Sequence, residues 1–416
     1  MTAGGPDALA LHRDALVVDG HNDLPWRIRE EGGLDLEGVE LDRADPRFHT
    51  DLDRLAAGGV DIQFWAAYLP VAYVGGEATR IALEQIDLIR RFTERYPKRL
   101  GLARSAAEAR AIVASGRTAS MIGVEGGHAI SGSLSALHLL YAAGARYLTL
   151  THIASLAWVD AAGDVRRAGG LSSFGEDVVR EMNRLWMLVD LSHVSDEAME
   201  AALRVSAAPV IFSHSSARAV ADHPRNIPDD VLRRLAANGG VAMVNFFPGF
   251  LTPGGTQRVA ELFEEEERIR LEQAEPEVRR QALEDWAATL GPDRGDVAAV
   301  ADHIDHIAGV AGVEHVGLGS DFDGIPATPA GLEDVSCFPR LTVELVRRGY
   351  GEAEIRGILG ENFMRTLAAA ERVAEELSGE AALPAGDSRT AEASSSAEAR
   401  PAAEESPGSG EPRSAD

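Results

Sequence analysis

Cysteine is almost absent: Cys337 is the only one in 416 residues. That excludes an intramolecular disulfide and means that any metal site must use nitrogen and oxygen ligands. Lysine is equally scarce, with Lys98 alone, so positive charge rests on arginine. The formal net charge of −26 argues against nucleic acid or an anionic membrane as the main partner. No stretch reaches the roughly 18 uninterrupted apolar residues of a spanning helix. Met1–Ala10 carries no basic stretch followed by an apolar one, and the polar C-terminus has no hydrophobic lipid-anchor signal. A cytoplasmic location is the expectation.

What remains is an ordinary globular balance, 45% hydrophobic and 25% charged, long enough for a large α/β barrel. Residues 380–416 are the exception. They are rich in Ala, Ser, Glu, Pro and Gly, and Leu383 is their only aliphatic residue larger than alanine. Such a stretch cannot offset its ordering entropy by burial, so a disordered acidic tail is expected after a domain spanning 1–379.

Within that domain eight short apolar or β-branched segments recur, each bounded by turn residues. They are Ala15–Asp23, Val60–Leu69, Ala119–Glu125, Arg146–His152, Trp186–His193, Pro209–His214, Gly240–Phe247 and His315–Asp323. Continuously apolar runs such as VAMVNFF suit parallel strands covered on both faces. Helical spacing fills the intervals, as in Ser195–Val205. Eight strands alternating with helices predict a (β/α)8 TIM barrel. Two helical patterns broken at Pro276 form an acidic insertion at 248–302, before strand eight, and Arg340–Leu377 reads as closing helices.

The polar residues of interest sit where six of these strands end: His21 and Asp23, Glu125, His152, His193, His214, and Asp321 with Asp323. In a barrel those ends converge on one rim, where barrel enzymes place their active sites. The H-x-D pattern also occurs at His12/Asp14 and His303/Asp305, but only His21/Asp23 ends an apolar strand. Histidine and carboxylate without cysteine suit zinc or a similar divalent ion. His21, Asp23, Glu125, His193 and His214 are too many ligands for one catalytic ion that keeps an open position. They divide between two ions with Glu125 bridging. Ions ~3.5–4 Å apart supply a nucleophile from water and polarise the attacked carbonyl.

His152 is placed to hydrogen-bond that carbonyl oxygen. An aspartate of the SDFDG segment is the proton-transfer candidate; alternation would turn Asp321 and Asp323 the same way and does not choose between them. Arg225, in HPRNIPDD, is suited to grip a substrate carboxylate. His303 and His306, one helical turn apart, read as a helix feature. His49, His128, His138, His223 and His315 are assigned no role.

The ordered set DGHND, GVEGG, LTLTH, DLSH, FSHSSAR, RNIPDD and GLGSDFDG resembles the renal or membrane dipeptidase family, over about Leu16–Leu367. The resemblance implies that His21 and Asp23 hold one zinc, His193 and His214 the other, and that Glu125 bridges. It implies substrate contacts from His152 and Arg225, and proton transfer by Asp321. It further implies dipeptide substrates, often with a C-terminal D-residue, and a homodimer.

Two other readings follow from the same residues. N-acyl amino acids also present a carboxylate to Arg225, so hydrolysis of those amides is the alternative reaction. A carboxylated-lysine metal bridge is excluded, because Lys98 lies in the helix-to-loop stretch RYPKR. A non-catalytic binding protein on an inherited barrel would have lost ligands, yet every motif position is filled.

Overall fold

The computed structural model describes residues 7–36, 38–273 and 275–379. The tail expected at 380–416 lies outside the described residues. Nine strands form one parallel sheet: β1 (Val18–Asn22), β2 (Ile62–Tyr68), β3 (Leu100–Leu102), β4 (Thr118–Glu125), β5 (Ala145–Thr149), β6 (Leu188–Asp190), β7 (Ile211–Phe212), β8 (Val241–Val244) and β9 (Val316–Leu318). Eight follow the path β1-β2-β4-β5-β6-β7-β8-β9, and β3 pairs with β4 off that path. The ring closes where Asp23 N donates to Phe322 O at 2.9 Å and Asp321 N to His21 O at 3.1 Å. The result is a nearly closed (β/α)8 barrel. Its eight strands are those expected, although most are shorter, and β3, which lies off that path, was not expected.

The core has two shells because strand residues alternate. Inward-facing Val18, Ile62, Phe64, Met121, Tyr147, Leu188, Val241 and Met243 pack together. Phe363 and Leu367 of the last helix, Asn362–Leu377, join the same cluster. Outward-facing Trp65, Ile122, Leu148, Val189 and Val244 pack with the surrounding helices. The helices carry their own start signals. In Asp196–Val205, Ser195 Oγ accepts from Ala198 N, acids fill the first turn and Arg204 sits in the last.

The insertion comprises helices Pro248–Leu251, Pro253–Gln257, Val259–Glu272 and Pro276–Thr289, the last beginning at the expected break. Its apolar residues form a separate small cluster with Phe247, Ile325 and Ala327. It reaches the helix Leu24–Gly32 through Arg279–Glu31 at 2.7 Å and Arg270–Glu30 at 3.3 Å, beside a cavity of about 530 Å³.

The other two H-x-D histidines are struts. His12 bonds Gly58 O at 2.8 Å and Thr342 Oγ1 at 2.7 Å. His303 accepts from Ala217 N and bonds Leu251 O, while His306 pairs with Asp229. Among the described residues no helix is long and apolar enough to cross a membrane.

Candidate metal centre

Glu125 organises the rim. It follows Met121 and Gly123 on the inward face of β4, and a Cβ on Gly123 would stand 1.8 Å from Tyr147 Cζ. Glycine there admits the tyrosine ring directly beneath the carboxylate. Glu125 Oε2 lies 3.4 Å from His21 Nε2, and Oε1 lies 3.0 Å from His193 Nε2 and 3.5 Å from His214 Nε2. Asp23 Oδ2 is 3.2 Å from His21 Nε2, and the two histidine Nε2 atoms of 193 and 214 are 2.9 Å apart. One carboxylate therefore reaches histidines on both sides, Oε2 nearest His21 and Oε1 nearest His193 and His214, while His21 and His214 also lie close enough to share a cluster with it.

Each ligand reaches the rim differently. On β1, Val18 and Gly20 face inward, so regular alternation would turn His21 outward. A register irregularity between Asp19 and Asn22 swings it to the mouth. His193 lies beyond β6 at φ +71°, its carbonyl held by Ala162 N at 2.7 Å. His214 follows β7, with Nδ1 2.8 Å from Ser213 Oγ.

All of the expected rim residues converge except Asp323. The expectation that alternation turns both aspartates the same way is corrected, because β9 ends at Leu318. Asp321 and Asp323 occupy a turn at φ +66° and +67°. Asp321 joins His21 and Asp23, with ligand atoms within 4.8 Å of one another, and its Oδ2 accepts from Asn245 Nδ2 at 2.8 Å. Asp323 turns to the neighbouring loop, where its Oδ1 accepts from His49 N at 2.7 Å.

His152 lies past the end of β5, with Nε2 3.8 Å from Glu125 Oε1. Arg225 is buried behind it, donating from Nη1 to Ser215 Oγ at 3.1 Å and from Nη2 to His214 O at 3.2 Å. Its guanidinium covers the Phe250 ring at 5.1 Å and has no carboxylate partner among the described residues. A buried guanidinium so placed is costly unless an anion completes it.

The electrostatics separate the groups. Burial pushes Asp321 up to about 8, reinforced by the Asp23 and Glu125 carboxylates against the pull of His21 and Asn245. Burial, then the Arg225 charge, lowers His152 to about 3 and holds His193 well below the usual imidazole range. Burial, with His21 next, does the same for His214. These three imidazoles are neutral and keep lone pairs for ligation or hydrogen bonding.

The residues fit a pair of divalent ions. Ligands ~2.0–2.1 Å from a tetrahedral zinc stand about 3.3 Å from one another, close to the spacings around each oxygen of Glu125. Asp23 Oδ1 is buried with no hydrogen-bond donor among the described residues, as expected of an oxygen awaiting a cation.

Four supporting residues escaped the sequence reading. Asp190 accepts from Ser192 N, Ser213 N, Ser213 Oγ and Thr149 Oγ1. Asp19 accepts from Ser320 N and Oγ and from Gln63 Nε2. Tyr147 and Asn245 complete the set. Asp190 and Asn245 lie two residues past the inward Leu188 and Met243, a signal that alternation does carry.

A parallel barrel with a histidine–carboxylate cluster on its carboxyl rim defines a metal-dependent hydrolase. The membrane dipeptidase family (peptidase family M19) matches residues 6–381, and the chain belongs to that family. It is 43% identical over 378 residues to dipeptidase 3 of Mus musculus, covering 90% of this chain and 68% of that protein. It is 40% identical over 382 residues to dipeptidase verJ of Clonostachys rogersoniana, covering 89% and 88%. The probable dipeptidase PvdM of Pseudomonas aeruginosa shares the fold, with TM-score 0.73, 24% identity and coverage of 88% and 98%. A metallopeptidase from Rhodobacter sphaeroides, liganded with a phosphinate mimic of L-Ala-D-Ala, aligns with TM-score 0.72 and 26% identity, covering 86% and 99%.

Proposed function

We propose that this chain is a two-zinc dipeptidase, with His21 and Asp23 holding one ion, His193 and His214 the other, and Glu125 bridging them. The observation that carries this reading is the division of Glu125, Oε2 toward His21 and Oε1 toward His193 and His214. Bound there, the ions supply Lewis acidity toward the scissile carbonyl and a water made nucleophilic at neutral pH.

The chain's own residues do the rest. Arg225 takes the substrate's terminal carboxylate, which limits substrates to short peptides. His152, a neutral imidazole, donates a hydrogen bond to the carbonyl oxygen as negative charge develops. As the C–N bond breaks and the water oxygen joins the carbonyl carbon, Asp321, which the charge of the bound ions would hold ionised against the effect of burial, takes the water's proton and passes it to the leaving amine nitrogen. Dipeptides with a C-terminal D-residue belong to the substrate class, supported by the ligand of the Rhodobacter sphaeroides relative. The family resemblance also supports a homodimer, which sedimentation of the purified chain tests.

The activity test compares L-Xaa-L-Xaa, L-Xaa-D-Xaa and N-acetyl amino acid panels on zinc-loaded protein. Metal-dependent turnover of dipeptides is expected. Activity confined to N-acetyl substrates would replace this reading with an N-acyl amino acid hydrolase.

A further inference from the structure

The Tyr147 hydroxyl lies 2.9 Å from His21 Nδ1 and 3.3 Å from Gly20 O. A phenol has one proton to donate, and a backbone carbonyl can only accept. A phenol is protonated at neutral pH. If that proton goes to Gly20 O, His21 donates from Nδ1–H to the phenolic oxygen. That places the lone pair on Nε2, the atom facing Asp23 Oδ2 and Glu125 Oε2.

The tyrosine ring is held for this task. It stacks on Phe64 at 5.2 Å and occupies the space left by Gly123. On the other side of the centre a different device does the same work. Ser213 Oγ donates to Asp190 Oδ2 at 2.6 Å and so accepts from His214 Nδ1. His21 and His214 are thus oriented by different partners.

We propose that Tyr147 is a positioning residue that fixes the His21 tautomer and selectively strengthens the ion on the His21–Asp23 side. This rests on the two-ion reading above. Partners of this kind affect metal affinity about 10–100-fold.

The test dialyses zinc-loaded wild type, Tyr147→Phe and Ser213→Ala against graded chelator and counts zinc per chain, with thermal melting as a check on the fold. Tyr147→Phe should lose one ion at about 10–100-fold lower chelator strength and keep the second as in wild type. Both ions retained as in wild type, or both weakened equally with a lowered melting temperature, would overturn the inference. Wild type holding fewer than two ions would overturn the two-ion reading and this inference with it. Histidine ring ¹⁵N shifts of the loaded wild type give a measurement independent of any variant's folding. His21 protonated on Nδ1 supports the proposal; His21 protonated on Nε2 contradicts it.

Discussion

Asn245 Nδ2 donates to Asp321 Oδ2 at 2.8 Å, fixing a carboxylate that burial holds near a pKa of about 8. The contact depends on the end of β9. Because the strand stops at Leu318, Asp321 can turn left-handed and meet the amide that follows β8. The same turn brings it next to Asp23. A Cβ on Gly324 would stand 2.1 Å from Asp23 Oδ2, so glycine is required where this turn crosses the metal side.

Asp321→Asn keeps the size of the side chain and an oxygen for Asn245 but removes the proton carrier. kcat should fall about 10²–10⁴-fold, the usual worth of a positioned acid–base group. Zinc per chain, read by plasma emission, should stay at the wild-type value. Loss of an ion would make Asp321 a ligand instead, which its place beside His21 and Asp23 also permits.

Among the described residues Arg225 has only Ser215 Oγ and His214 O as acceptors, which on the proposed reading leaves its charge for the substrate. Arg225→Gln should reduce kcat/KM for dipeptides by about 10²–10³-fold, in line with loss of a buried charged contact. Dipeptide amides, which lack the carboxylate, should be nearly unaffected. Equal losses on both substrates would assign Arg225 a structural role.

Asp61 offers a test away from the metals. It accepts from Val17 N at 2.9 Å, and burial raises its pKa from 3.8 to about 6. A carboxyl whose folded pKa is raised favours the folded state fully below about pH 4. That contribution is lost as pH rises through about 6. Asp61→Asn should therefore match wild type near pH 4 and exceed it at pH 7.5, by about 2 kcal/mol after allowing for partial exposure. Urea unfolding at the two pH values measures this, and a constant difference would contradict it.

The rim was legible because its signals are local. A histidine or carboxylate at the end of an apolar run must lie at the barrel mouth, so His21, Glu125, His193 and His214 could be placed without coordinates. The Asp321–Asp323 turn was not legible. Alternation fails there because Asp321 and Asp323 both take positive φ while the segment still bonds to β1, and the sequence does not mark that turn. The irregularity in β1 was hidden for the same reason, and without it alternation from Val18 and Gly20 would have turned His21 away from the mouth. Tyr147 carried no signal of its own in the sequence, because its task depends on a contact 126 residues away.

Glu125 is the bridge in the proposed mechanism, and anomalous diffraction at the zinc edge from crystals of the loaded enzyme tests that role most directly. Two peaks about 3.5–4 Å apart, one beside each oxygen of Glu125, are the expected result. A single peak, or two peaks with Glu125 touching only one, would contradict the bridge and with it the two-ion mechanism.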